Sequence, residues 1–115
     1  MSLEKIQEFF SNLRDRSLTV CENCLDTQIG KHRQRSDLGY CFYRPDETFY
    51  ASETGILKLS WGSYSSDELA MLVVVNAILD EAKVCGLDVQ WAGSMNDRII
   101  LKNLDVAYFL QQCIS

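Results

Sequence analysis

A chain of 115 residues with 47% apolar side chains, two Trp, five Tyr and five Phe can bury one core, which excludes a disordered tail. Sixteen acidic against eleven basic residues leave a net charge of −5. That balance excludes a general nucleic-acid or anionic-membrane binder, because such proteins need a basic face to displace counterions from phosphate. No charged segment followed by an apolar stretch opens the sequence, and no apolar run reaches the ~20 residues that a bilayer requires. The expectation is a cytoplasmic protein whose odd count of five cysteines is held as free thiols.

Residues 3 to 16 read as an amphipathic helix, with Leu3, Ile6, Phe9, Phe10 and Leu13 on one stripe. Ser17 to Cys21 alternates and is rich in β-branched residues, as a short strand is. A short helix is expected next, from Cys21-Glu22-Asn23-Cys24 through Leu25 and Ile29 to a glycine stop at Gly30. Lys31 to Arg35 is a basic loop, either simply solvated or in contact with phosphate or an acidic partner. Gly39 to Arg44 is a strand by its aromatics. Pro45 starts a helix that Thr54-Gly55 ends, with Asp46 and Glu47 in its first turn. Ile56 to Trp61 alternates, placing Leu57, Leu59 and Trp61 on one face.

Ser65 to Gly86 reads as the central helix. Between Leu69 and Leu79 only Asn76 is polar, and a helix apolar around most of its circumference must be covered on most of it. Ser65-Ser66-Asp67-Glu68 has the form of a capping box, Tyr64 and Leu69 suit a hydrophobic staple, and Gly86 suits the terminal left-handed turn. The 3–4 spacing of Leu72, Val75 and Leu79 directs them at the sheet, against Leu57, Leu59, Val89 and Ile99. Asn76 is either a bonded core amide or faces a ligand cavity. Leu87 to Trp91 and Arg98 to Lys102 form a hairpin, and Asn103 or Asp105 caps a last helix carrying Val106, Phe109, Leu110 and Cys113.

These elements predict one α+β domain over residues 1–115. About five mainly antiparallel strands pack against the long central helix and the N-terminal helix. The link from the Ile56–Trp61 strand through the central helix to Leu87–Trp91 suits a right-handed crossover making one parallel pair.

Gly39-Tyr40-Cys41-Phe42-Tyr43, Leu57-Lys58-Leu59-Ser60-Trp61-Gly62-Ser63 and Gly86-Leu87-Asp88-Val89-Gln90-Trp91-Ala92-Gly93, followed by Arg98-Ile99, resemble an uncharacterised bacterial family known only as a domain of unknown function. A Cys-x-x-Cys at Cys21 and Cys24 also fits that family. The likeness covers roughly residues 15 to 105 and departs from the pattern at Val20, where a further cysteine is expected, and at Ala92, where an acidic residue is common. It implies the fold and no reaction.

Cys21-x-x-Cys24 is the one chemical-looking motif. It is open to three readings: small buried thiols, a redox-sensitive dithiol, or half a metal site. Glu22 between the sulfurs opposes thiolate formation. His32, Cys41, Cys85 and Cys113 supply no second ligand pair, so no metal and no cofactor is expected. No catalytic residue is expected either, because one histidine in a basic loop and carboxylates at helix starts do not make a catalytic set. Tyr43, Arg44, Tyr64, Asp97 and Arg98 are the candidate interaction surface, with Asp97-Arg98 either a surface ion pair or a ligand clamp. The functional expectation is a small acidic interaction or regulatory module binding a protein partner, inhibitor-like or immunity-type. The alternative is a thiol redox or metal-binding module at Cys21 and Cys24.

Overall fold

The computed structural model describes residues 3–114, so Met1, Ser2 and Ser115 of the expected domain lie outside the described residues. In chain order the elements are α1 (Leu3–Asp15), β1 (Leu18–Cys21), a 3-10 turn (Ile29–His32), β2 (Gly39–Phe42), α2 (Pro45–Thr54), β3 (Leu57–Ser63), α3 (Glu68–Val84), β4 (Asp88–Gln90), β5 (Ile99–Lys102) and α4 (Val106–Ile114). The fold class is α+β, as the sequence predicts. β1 starts one residue late because Ser17 is left-handed, at φ 65°. The helix expected after Cys21 does not form, and that segment is turns leading into the 3-10 turn.

The strands form one sheet in the order β1-β2-β3-β5-β4. The parallel pair is β1 with β2, and all other pairings are antiparallel. This corrects the crossover expectation. β3 and β4 do run in the same direction, but β5 lies between them, antiparallel to both. The hairpin return supplies the strand that the crossover leaves room for.

Strand alternation divides the sheet into two faces. Leu18, Val20, Cys41, Leu57, Leu59, Trp61, Ile99 and Leu101 belong to the main core, with Ile6, Phe9, Phe10 and Leu13 of α1 and Val74, Val75 and Ile78 of α3. Gly39 and Gly62 set the spacing of this layer. A Cβ at Gly39 would collide with the Gly62 carbonyl oxygen and lie 2.6 Å from Val74 Cγ2, so the bare backbone lets α3 approach the sheet. The Tyr40 ring occupies the space above Gly62 on the other face.

The central helix departs from its expected orientation. Its cap is Asp67, whose carboxylate accepts from the Leu69 amide at 3.1 Å, and not Ser65. Its buried side is Val74, Val75, Ile78, Glu81 and Ala82. Leu72, placed in the core by its spacing, is 38% exposed, and Leu69 is 69% exposed with no staple to hold it. Val75 is fully buried as expected, and Leu79 is partly buried against the core. Asn76 is exposed, so it is not a core amide; it lines an open groove of about 610 Å³ with Arg16, Ala77, Asp80 and Lys83. At the end of the chain Asp105 is the cap of α4, accepting from the Ala107 amide at 3.0 Å.

Candidate functional site

The segment Cys21-Glu22-Asn23-Cys24 leaves β1 and joins four elements. A disulfide links Cys21 and Cys24, with Cα atoms 6.0 Å apart, where free thiols were expected. Both cysteines are buried and pack with Phe42, Ile29 and Tyr40 in a small second cluster. The core residues Leu18 and Val20 belong to the opposite face, so strand alternation carries Cys21 to the side of the sheet away from the main core. Asn23 holds a left-handed conformation at φ 54°, which asparagine tolerates better than most residues. Its side chain donates to the Gln112 carbonyl of α4 at 3.3 Å and accepts from Thr48 Oγ of α2 at 2.8 Å. The Cys24 amide donates to the Tyr43 carbonyl at 3.0 Å.

Glu22 turns toward the helices instead of the sulfurs. Its Oε1 accepts from Tyr108 Oη at 2.5 Å and lies 3.1 Å from Tyr43 Oη, and Arg14 is 3.6 Å from Oε2. Tyr43 Oη also lies 2.7 Å from Gln112 Oε1. Burial first, and the Glu22 charge second, push the Tyr43 hydroxyl well above the ordinary phenol range. Tyr108 is raised as well, by burial and by its bond to Glu22. Both phenols therefore stay protonated: Tyr108 donates to the carboxylate, and the single Tyr43 proton is shared between Gln112 and Glu22. Tyr43 is fully buried and packs on Phe10 and Phe109, which removes it from the expected interaction surface.

The other expected surface residues go to separate places. Arg44 forms a bidentate pair with Asp26, with Nη2 to Oδ2 at 2.9 Å, and its guanidinium lies over Phe42. The hydrogen bond from Arg44 holds the Asp26 carboxyl below its ordinary range. Tyr64 donates to Thr19 Oγ at 2.8 Å and carries Arg33 over its ring, 3.7 Å from the centroid. Arg44 and Tyr64 thus share the Cys21–Cys24 side of the sheet. Asp97 and Arg98 do not pair with each other, which removes the expected ion pair. Arg98 pairs with buried Glu47, whose other oxygen accepts from the Arg44 amide at 2.9 Å. Asp97 accepts from the Ser94 amide at 3.3 Å through its carboxylate and from Trp61 Nε1 at 2.9 Å through its carbonyl.

Among the described residues no three His, Cys, Asp or Glu side chains lie close enough together to hold a metal ion. Cys41 is buried in the core, and burial raises its thiol far above the ordinary range. Cys85 is raised to about 11 by burial and by Glu81.

A second surface, not anticipated from the sequence, is the outer side of α3. Leu69, Leu72 and Val73 face solvent there, and Val73 is 55% exposed. Leu38, also exposed, lies with Tyr64, Ala70 and Val73 along a shallow groove of about 460 Å³. Leu69, Leu72, Val73 and Asn76 recur at spacings of three and four residues, and that periodicity was the available signal.

The sequence model for a domain of unknown function, DUF6891, matches residues 2–107. The chain belongs to that family. No curated protein and no solved structure matches the chain significantly. In this DUF6891 domain the segments that suggested the family have structural work. Gly39 admits Val74, Gly62 lies beneath Tyr40, and Trp61 packs edge-on against Trp91. Among the described residues no helix is long and apolar enough to cross a membrane.

Proposed function

We propose that this domain is a non-catalytic protein-interaction module and that its docking surface is the outer side of the first turns of α3. The observation that carries this reading is the exposure of Leu69, Leu72 and Val73 on a helix whose opposite side is already covered by the sheet and α1. Exposed apolar side chains in a contiguous group mark contact surfaces more often than isolated ones do. Buried Glu47 and Glu81 and half-buried Glu22 support a non-catalytic role, because each serves structure. Glu47 binds Arg98 and the Arg44 amide, Glu81 binds Asn12 and Arg16, and Glu22 binds two tyrosines. The fitting partner offers an apolar ridge to the groove between Leu38 and Val73. The net charge of −5 favours approach by a basic protein, as in inhibitor-like or immunity-type pairs.

A photo-crosslinking side chain at position 73, introduced in the native cell, tests this. It should capture one defined protein, while the same group at exposed Glu53 on α2 should not. Leu69→Asp should abolish the capture and leave the fold intact. No adduct from position 73, or an adduct indifferent to Leu69→Asp, refutes the proposal.

A second reading, thiol–disulfide chemistry at Cys21 and Cys24, is favoured by the closed disulfide itself.

A further inference from the structure

We infer that Cys21 and Cys24 form a reducible pair whose closed state fixes the seat of the C-terminal helix α4, so that an external dithiol loosens α4 by opening the disulfide. This rests on the thiol–disulfide reading and adds what the chemistry controls. It does not depend on the α3 docking surface.

The argument starts from what the two residues between the sulfurs do. Glu22 accepts from Tyr108 of α4, and Asn23 donates to the Gln112 carbonyl one turn further on. Asn23 also accepts from Thr48, which ties the same loop to α2, the helix that packs against α4. The four-residue bridge is therefore a clamp with two contacts on α4 and one on its neighbour. Its grip requires Asn23 at φ 54°, a left-handed state that asparagine tolerates but that a free loop exchanges with ordinary φ values. The disulfide pins both ends of that two-residue span, which narrows the φ values open to Asn23. Opening the disulfide frees the loop to relax toward ordinary φ values, and the two α4 contacts weaken together.

The chemistry balances with a dithiol as the co-reactant. One thiolate of the dithiol attacks a sulfur of the pair, forming a mixed disulfide and expelling the other cysteine as thiolate, which takes a proton from water. The second thiol of the reductant then attacks the mixed disulfide and closes the reductant's own disulfide. Two electrons and two protons pass to Cys21 and Cys24, and the reductant leaves oxidised. Both cysteines are buried, so attack follows local opening. The turn just after Cys24 is the exposed flank through which this occurs, with Leu25 55% exposed.

The experiment compares the full chain before and after dithiothreitol under native conditions. Alkylation with mass readout counts free thiols, exposed Cys113 being the internal control. Amide exchange then reads α4 against Val74–Ile78 of α3. Reduction should add two alkylation sites, and exchange across residues 108–112 should quicken about tenfold while α3 is unchanged. The variant Asn23→Ala should quicken α4 exchange without any reductant, even with the disulfide closed. A Cys21→Ser/Cys24→Ser variant should match the reduced protein, and if it fails to fold the wild-type comparison still decides. A pair that dithiothreitol leaves closed refutes both the redox reading and the inference. A pair that opens while α4 exchange stays constant refutes the inference alone.

Discussion

Ile78 and Leu72 lie six residues apart on α3, and the structure assigns them opposite fates. Ile78 has no exposed surface, whereas Leu72 is 38% exposed. Ile78→Ala removes three carbons from a closed environment, about 2.4 kcal/mol of transfer free energy at roughly 0.8 kcal/mol per methylene. The cavity left behind adds to this, for a total of about 3–4 kcal/mol within the range known for such truncations. Leu72→Ala removes a side chain that water already reaches, and no closed cavity forms. Its cost should be about 1 kcal/mol or less. At roughly 4 °C per kcal/mol for a domain of this size, Ile78→Ala should lower Tm by about 12–16 °C and Leu72→Ala by about 4 °C at most. Urea denaturation with unchanged m-values would establish that the folded state is the one affected. Equal losses, or a larger loss at Leu72, would refute the orientation of α3 and with it the exposed apolar surface.

Three other outcomes follow from named contacts. Arg98→Met leaves the buried Glu47 carboxylate without its cation and should cost about 1–3 kcal/mol, since water still reaches the Arg98 side of the pair. Adding Glu47→Gln should recover part of that loss in a urea titration. Gly39→Ala drives a methyl group into the Gly62 carbonyl and Val74, backbone and packed core that do not swing aside, and should cost about 1–3 kcal/mol by thermal melt. Stability should fall steeply above pH 9, because Cys41, Cys85, Tyr43 and Tyr108 are all raised in the folded state. The unfolded chain releases these protons first, so their contribution is complete below the unfolded values and is lost as pH rises. The loss begins with Cys85, between pH 9 and about 11, and the more strongly raised Cys41, Tyr43 and Tyr108 extend it to higher pH. A urea midpoint constant from pH 8 to 11 would refute that assignment.

The elements were legible where the pattern had a polar stripe or a distinctive end. α1 shows its buried side directly, because Glu4, Lys5 and Glu8 mark the other one. α3 has no such contrast, so periodicity could find the helix without orienting it. The 3–4 spacing of Leu72, Val75 and Leu79 was one of several equally apolar stripes, and the Val74–Ile78 stripe won because Gly39 opens the sheet beneath Val74. Two caps competed at its start, and Asp67 prevailed while Ser65 accepts only from the Asp67 amide at 3.2 Å. The placement of Tyr40 and Tyr43 on opposite faces was readable from alternation. Which of the two was buried was not, because that depends on Phe10 and Phe109 arriving from helices distant in sequence. The Cys-x-x-Cys spacing permitted a disulfide. The partners of Glu22 and Asn23 were invisible because Tyr108, Gln112 and Thr48 come from elements that only the tertiary fold brings together.

The exposed part of α3 is more than the residue of an over-apolar helix. On one line along its outer side, Leu69, Leu72 and Val73 give way to Asn76, Asp80 and Lys83, all of them solvent-facing. That line ends at exposed Val84, so the apolar group at its start is distinguished by its neighbours, for it adjoins Leu38 and the groove beside Tyr64. In the polar half Arg16, just past the end of α1, bonds Asp80 at 2.7 Å and the Ala77 carbonyl at 3.1 Å. The later turns thus line an open polar groove with Arg16, and the first turns adjoin a groove that Leu38 and Tyr64 make more apolar. That difference in surroundings is the physical reason to read the first turns of α3 as a contact surface.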